Sequence, residues 1–86
     1  MPYEVLIKRQ AQKKLKSLPK DERLRLAEKI VQLGNNPDDP ALDAKSLAGV
    51  PLHRLRVGDW RIIYKRQDDV QIIAIEKIKP RGDAYK

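Results

Sequence analysis

The sequence predicts an α+β fold in which two helices cover one face of a sheet whose strands come from both ends of the chain, the last three as an antiparallel meander. Three observations carry that expectation. A short β-rich run opens the chain, two segments of helical periodicity follow it, and three β-rich runs separated by two or three residues come last. At 86 residues there is chain enough for one domain, 1–86, with one compact core.

The elements are expected in this order. Residues 3–8, YEVLIK, are β-rich and alternate in part, which predicts the first strand. Ala11, Leu15 and Leu18 then recur at helical spacing with lysines on the other side, and Pro19 ends that helix. Asp21 either caps the second helix or sits in its first turn beside Glu22, where negative charge suits the helix dipole. Leu24, Ala27, Ile30, Val31 and Leu33 give the second helix an apolar stripe, with Gly34 as its C-terminal signal. The run NNPDDP at 35–40 is a loop. In the following segment Leu42 and Leu47 are expected to tack the chain to the core, and 49–51 to turn it into the sheet. Strands are then expected at 52–57, 60–66 and 70–78. Their short turns at Gly58–Asp59 and Gln67–Asp69 make them an antiparallel meander.

Composition narrows the function classes. There is no cysteine and a single histidine, His53, so neither a thiolate nor an imidazole-rich metal site is expected, and no cofactor. No stretch approaches the roughly 18–20 apolar residues of a membrane span. The first residues lack the pattern of a signal peptide, so the protein is expected in the cytoplasm, away from membranes. Nineteen basic residues against 12 acidic ones give a net charge of +7, which points to a polyanionic partner. The charge is clustered: six basic residues and no acid from Lys8 to Lys20, and five basic residues with only Asp59 from Leu52 to Arg66.

Alternation places that second cluster. Arg54 and Arg56 share one face of their strand. Arg61 and Lys65 share one face of the next, with Ile63 between them. Trp60, Ile62 and Tyr64 then point toward the helices. A tight turn at Gly58–Asp59 superimposes the two basic faces on the open side of the sheet. A merely solvated face would mix lysine with glutamate and threonine, and like charges across strands are destabilising. Arginine used three times suits bidentate phosphate recognition. By the same parity His53 points away from the arginines, as a structural or edge histidine, and Asp59 is a turn residue.

The run L-x-R-L-R-x-G-D-W-R-I-I-Y, Leu52 to Tyr64, resembles the central signature of the RelE/ParE toxin superfamily. The ending I-K-P-R-G-D-A-Y-K, 78–86, resembles the R-x-x-x-Y close of its RelE-like branch. The order strand, two helices, strands matches over essentially the whole chain. The resemblance implies the RelE-like microbial RNase fold and the toxin of a type II toxin–antitoxin system. Such a toxin is a metal-independent endoribonuclease, an mRNA interferase that cuts mRNA on the ribosome, leaves a 2′,3′-cyclic phosphate and inhibits translation.

Carried over onto this chain, the resemblance assigns RNA phosphate binding to Arg54, Arg56, Lys65 and Lys79. It assigns stabilisation of charge on the cleaved phosphate to Arg61 and Arg81, and base stacking or movement of the 2′-OH proton to Tyr85. Where several relatives have a histidine before the Arg81 position this chain has Pro80, which argues against histidine acid–base catalysis. A tyrosine ionising near pH 10 is only about one part in a thousand tyrosinate at pH 7, unless neighbouring guanidinium groups stabilise the anion. Lys13, Lys14 and Lys16 are either a solvated helix face or a grip on ribosomal RNA. The resemblance also implies a cognate antitoxin, the ribosome and mRNA as partners, with operator DNA reached only through the antitoxin complex. Two further functions fit the same fold: a ParE-like inhibitor of DNA gyrase, and a non-catalytic nucleic-acid-binding protein.

Overall fold

A computed structural model describes residues 2–80. Two helices pack on one face of a five-stranded sheet. The elements are β1 Glu4–Ile7, α1 Arg9–Ser17, α2 Lys20–Asn35, β2 Ala44–Ser46, β3 His53–Val57, β4 Trp60–Gln67 and β5 Ile72–Pro80. The strand order is β1-β5-β4-β3-β2. The expected meander is present as β3, β4 and β5, antiparallel throughout. The sheet takes in the N-terminal strand as well, as expected, but it is mixed and has one strand more than expected. β1 joins β5 in parallel, and β2 adds an antiparallel edge to β3 that the residues AKS do not advertise.

The core is made where the inward residues of the strands meet the helices. Leu55, Val57, Ile62, Tyr64, Ile73, Ile75 and Ile78 from the sheet are buried with Ala11, Leu18, Leu26, Ile30 and Leu33 from the helical side. Burying each large apolar side chain is worth about 1.5–3 kcal/mol, so this layer dominates the stability. α2 buries Ile30 and Leu33 of the expected stripe, but Leu26 takes the place of Leu24 and Val31. Leu26, Ile30 and Leu33 face the sheet, while Leu24 and Val31 are exposed. Asp21 and Glu22 lie in the first turn of α2 and Pro19 is its N-cap residue, which selects the dipole role for Asp21. Leu42 joins the core as expected, whereas Leu47 turns to the other side of the sheet.

Gly34 does not terminate α2, which continues to Asn35. Its role is close approach. A Cβ at this position would lie 2.6 Å from Val5 Cγ2, and the Gly34 carbonyl accepts the Tyr3 N–H at 2.6 Å. The helix thereby fixes the entry of β1 beside β5. At the Gly58–Asp59 turn the backbone needs positive φ, 58° at Gly58, which glycine adopts without penalty. The later turn runs further than expected. Gln71 has φ 55° and β5 begins at Ile72, leaving Val70 exposed.

A polar cluster ties three segments at the sheet edge. Arg66 Nη1 and Nη2 donate to Asp38 Oδ1 and Oδ2 at 2.8 and 3.0 Å. Its Nε donates to Asp68 Oδ1 at 2.6 Å, and the Tyr3 hydroxyl donates to that same oxygen at 2.8 Å. The Arg66 guanidinium holds both carboxyls below the usual carboxylate range, with the Tyr3 bond helping at Asp68. The Asp68 carboxylate in turn pushes the Tyr3 phenol up. A carboxyl lowered on folding adds stability above its unfolded pKa and loses it as pH falls through the folded value. The melting temperature is therefore expected to hold level from about pH 7 to about pH 5 and to fall below about pH 4, near the unfolded carboxylate value. Arg66→Met makes that acid fall shallower. Thermal melts at stepped pH check this, and equal acid slopes in the two proteins would remove the network as their cause.

Candidate nucleic-acid interface

The open face of the sheet is built by the strand pairing. In the β3–β4 hairpin Arg56 lies opposite Arg61, and Arg54 lies opposite Ile63. On the other side of β4, Arg61 lies opposite Lys79, and Ile63 opposite Lys77. Two arginines and a lysine thus stand abreast across three adjacent strands. Like charges at cross-strand distance oppose pairing, so the arrangement costs stability that a bound polyanion relieves. Asp43, just before β2, supplies part of the compensation in the protein itself. Its carboxylate oxygens lie 3.5 Å from Arg54 Nη1 and 4.0 Å from Arg56 Nε. That buried Arg54 Nη1 makes no hydrogen bond at this separation, which leaves a donor for an anion to fill.

Between these residues the face is concave. A cavity of about 450 Å³ is lined by Leu47, Leu52, Arg54, Arg61, Ile63, Glu76, Lys77 and Lys79. Its size suits one nucleotide-sized ligand, on the order of the 300–1,000 Å³ of small-molecule sites. The wall at one end comes from the loop between β2 and β3, closed by the Leu47 N–H donating to the Leu52 carbonyl at 2.9 Å. The wall at the other end comes from a bulge. The register passes from Ile63 opposite Lys77 directly to Tyr64 opposite Ile75, so Glu76 is the extra residue. Ile75 and Ile78 both stay in the core, and Glu76 and Lys77 are both turned to the cavity.

Of the residues singled out in the sequence, Arg54, Arg61 and Lys79 line this cavity. Arg56 stands beside it, exposed, across from Arg61. Lys65 is exposed further along β4, opposite Ala74, and does not line the cavity. Arg81 and Tyr85 lie outside the described residues. Arg61 is 9% exposed, which is low for a guanidinium and holds its position closely. Glu76, Lys77 and Leu52 were not expected at the site, and Leu47 was expected only as a core contact. The one signal for Glu76 was the spacing of its inward neighbours, Ile73, Ile75 and Ile78, which breaks strict alternation.

A second basic cleft, about 420 Å³, runs between α1 and β5. It is lined by Gln10, Lys13, Lys14, Lys77, Ile78, Lys79 and Pro80, and it shares Lys77 and Lys79 with the cavity. Lys14 is partly engaged, with its ammonium 5.5 Å from the Trp60 ring centroid. Trp60 packs against the core from its rim and donates its indole N–H to Glu22 Oε1 at 3.3 Å. Lys16 is exposed and lines neither space. On the helix side His53 stacks on Tyr64 with centroids 5.3 Å apart, as an edge histidine does, and burial pushes the Tyr64 phenol up. Among the described residues no helix is long and apolar enough to cross a membrane.

Comparison with known proteins places the sequence and the fold. Residues 5–85 match the family model for the ParE toxin of type II toxin–antitoxin systems, parDE. A protein of Methanocaldococcus jannaschii named “Putative toxin RelE1” is 36% identical over 88 residues, spanning 100% of this chain and 98% of its own. Among solved structures, the archaeal RelE–RelB complex from Pyrococcus horikoshii OT3 superimposes with a TM-score of 0.83 at 38% identity, covering 95% of this chain and 98% of that one. The RelB–RelE antitoxin–toxin complex from Methanococcus jannaschii gives a TM-score of 0.76 at 27% identity, covering 94% and 95%.

Proposed function

Since the chain belongs to the family of type II toxin–antitoxin toxins, in the RelE-like branch of the RelE/ParE superfamily, we propose that it is a metal-independent mRNA endonuclease acting on the ribosome. The observation that carries this reading is the cavity in which Arg54, Arg61 and Lys79 converge, with Arg56 beside them. A gyrase-binding protein needs a complementary surface, whereas phosphate cleavage needs donors gathered around one site.

Cleavage by the neighbouring 2′-OH is intramolecular. The 2′-oxygen bonds to phosphorus, the bond to the 5′-oxygen breaks, and the products are a 2′,3′-cyclic phosphate and a 5′-hydroxyl. The protein holds the strand in line and stabilises the extra charge on the phosphorane oxygens. Arg54, Arg56, Lys65 and Lys79 hold the RNA backbone. Arg61, with Arg81, meets the oxygens of the cleaved phosphate. Tyr85 stacks on a base or takes the 2′ proton, assisted by the cationic surroundings. The cell would hold such an enzyme in check with a cognate antitoxin, a reading supported by the solved RelE–RelB complexes that this fold resembles. Operator DNA is reached through that complex, and the site of action is the cytoplasm.

The test is translation in vitro with purified protein, with breaks in the mRNA mapped by primer extension. Ribosome-dependent cuts are expected, and they fade in Arg81→Ala and Tyr85→Ala while gyrase supercoiling is untouched. The family model's description as a ParE toxin favours a gyrase inhibitor as the second reading. Intact mRNA together with inhibited supercoiling would establish that reading instead.

A further inference from the structure

The cavity holds one residue that a plain phosphate site has no use for. Glu76 lines it among Arg54, Arg61, Lys77 and Lys79, with its side chain 29% exposed. A carboxylate there repels the RNA backbone and lowers affinity for any polyanion. Its one ion pair among the described residues is loose. Lys8 Nζ lies 3.9 Å from Oε2, beyond hydrogen-bond distance, and the Lys8 side chain is 58% exposed. The β5 bulge is what sets Glu76 and Lys77 next to each other on this face. The rest of the wall is apolar: Ile63 in the middle of the face, and Leu47 and Leu52 from the β2–β3 loop. Apolar walls, lining cations and one carboxylate describe a place for a flat, uncharged ring that carries hydrogen-bond donors and is attached to a phosphate.

Single-stranded RNA is read on the Watson–Crick edges of unstacked bases. A carboxylate offers two acceptors side by side, and a bidentate charge-assisted pair is both stronger and more selective than a single bond. Guanine presents two adjacent donors, N1–H and the N2 amino group. Adenine and cytosine each place a ring-nitrogen acceptor beside their amino group, and uracil places its one N–H between two carbonyls. Each of those three turns an acceptor toward the carboxylate. Resting on the nuclease reading above, we propose that the cavity is a guanine subsite. Glu76 accepts from N1–H and N2–H, the side chains of Leu47, Leu52 and Ile63 pack on the ring, and the lining cations take the adjoining phosphates. Glu76 is then the residue that selects the sequence at which the strand is cut.

The experiment maps cut sites in a purified translation system on an mRNA with a randomised window. It compares wild type with Glu76→Gln and Lys8→Ala, after circular dichroism shows that each is folded. For the wild type, one position near the cut is expected to favour guanine over the other bases by about tenfold or more, the range of one bidentate base contact. Inosine, which lacks the N2 amino group, is cut at an intermediate rate at that position. Glu76→Gln loses the preference, because its amide presents one donor and one acceptor. Lys8→Ala retains the preference. A wild type without guanine preference, or a Glu76→Gln that keeps it, overturns the subsite. A folded Glu76→Gln that cuts nothing also overturns it, since Glu76 then acts on the reacting atoms. If the wild type itself cuts no mRNA, the nuclease reading falls first, and the subsite with it.

Discussion

Arg61→Ala is expected to slow mRNA cleavage by about 10²-fold or more, the usual cost of removing one donor that stabilises developing charge. The size follows from position. Arg61 sits in the middle of the face, with Arg56 across one strand boundary and Lys79 across the other, and it is almost fully buried. A guanidinium held this firmly needs little reorganisation when charge builds on the phosphate. Arg61→Lys separates charge from geometry. It keeps a cation and a long apolar stem but loses the planar fork. Its melting temperature and RNA binding are expected to stay close to wild type, while single-turnover cleavage remains at least about tenfold down, the loss of one well-placed donor being worth roughly 10²-fold at most positions. A lysine variant that cuts at the wild-type rate would mean that positive charge suffices and that the fork is not part of the chemistry.

The face that carries Arg61 was legible from alternation, and its companions Arg54 and Arg56 came with it, because a two-residue turn with a positive-φ glycine leaves little freedom in the register. The helical hairpin and the three-strand meander were legible for the same kind of reason, since both are local patterns. What escaped was non-local or irregular. β2 is a strand because β3 offers it a partner, and Ala44, Lys45 and Ser46 have no strand preference of their own. The parallel pairing of β1 with β5 joins the two ends of the chain, and no spacing reports it. In α2, Leu24 and Val31 lie seven apart and make as regular a stripe as Leu26, Ile30 and Leu33. Only packing decides which one is buried. Lys77 was hidden for a related reason: one extra residue reverses the parity of everything after it, so alternation counted from Ile72 puts Ile78 outside and Lys77 inside, the reverse of what is seen.

Gly34 shows the same limit on reading a residue type without its neighbours, and it yields a prediction of sign. In an isolated helix interior, Gly→Ala stabilises by about 0.8–1.0 kcal/mol. Here the added Cβ would stand 2.6 Å from Val5 Cγ2 and 3.5 Å from the Tyr3 carbonyl oxygen. Valine is stiff at χ1, and Val5 packs against the core from β1, so it yields poorly. Overpacking of this kind costs roughly 1–3 kcal/mol, which outweighs the gain in helix propensity. Gly34→Ala is therefore expected to lower the melting temperature, by several degrees for each net kcal/mol in a domain of this size, roughly 4–8 °C. The decisive comparison is made in a Val5→Ala background, where the obstructing methyl group is gone. There the same Gly34→Ala change is expected to be neutral or stabilising, so that the two substitutions couple strongly in a double-mutant cycle. Additive effects in the two backgrounds would show that the glycine is not kept for its contact with β1. Coupling of the expected sign would establish that α2 and β1 are locked together at this point, which holds β1 in parallel register beside the strand that carries Glu76, Lys77 and Lys79.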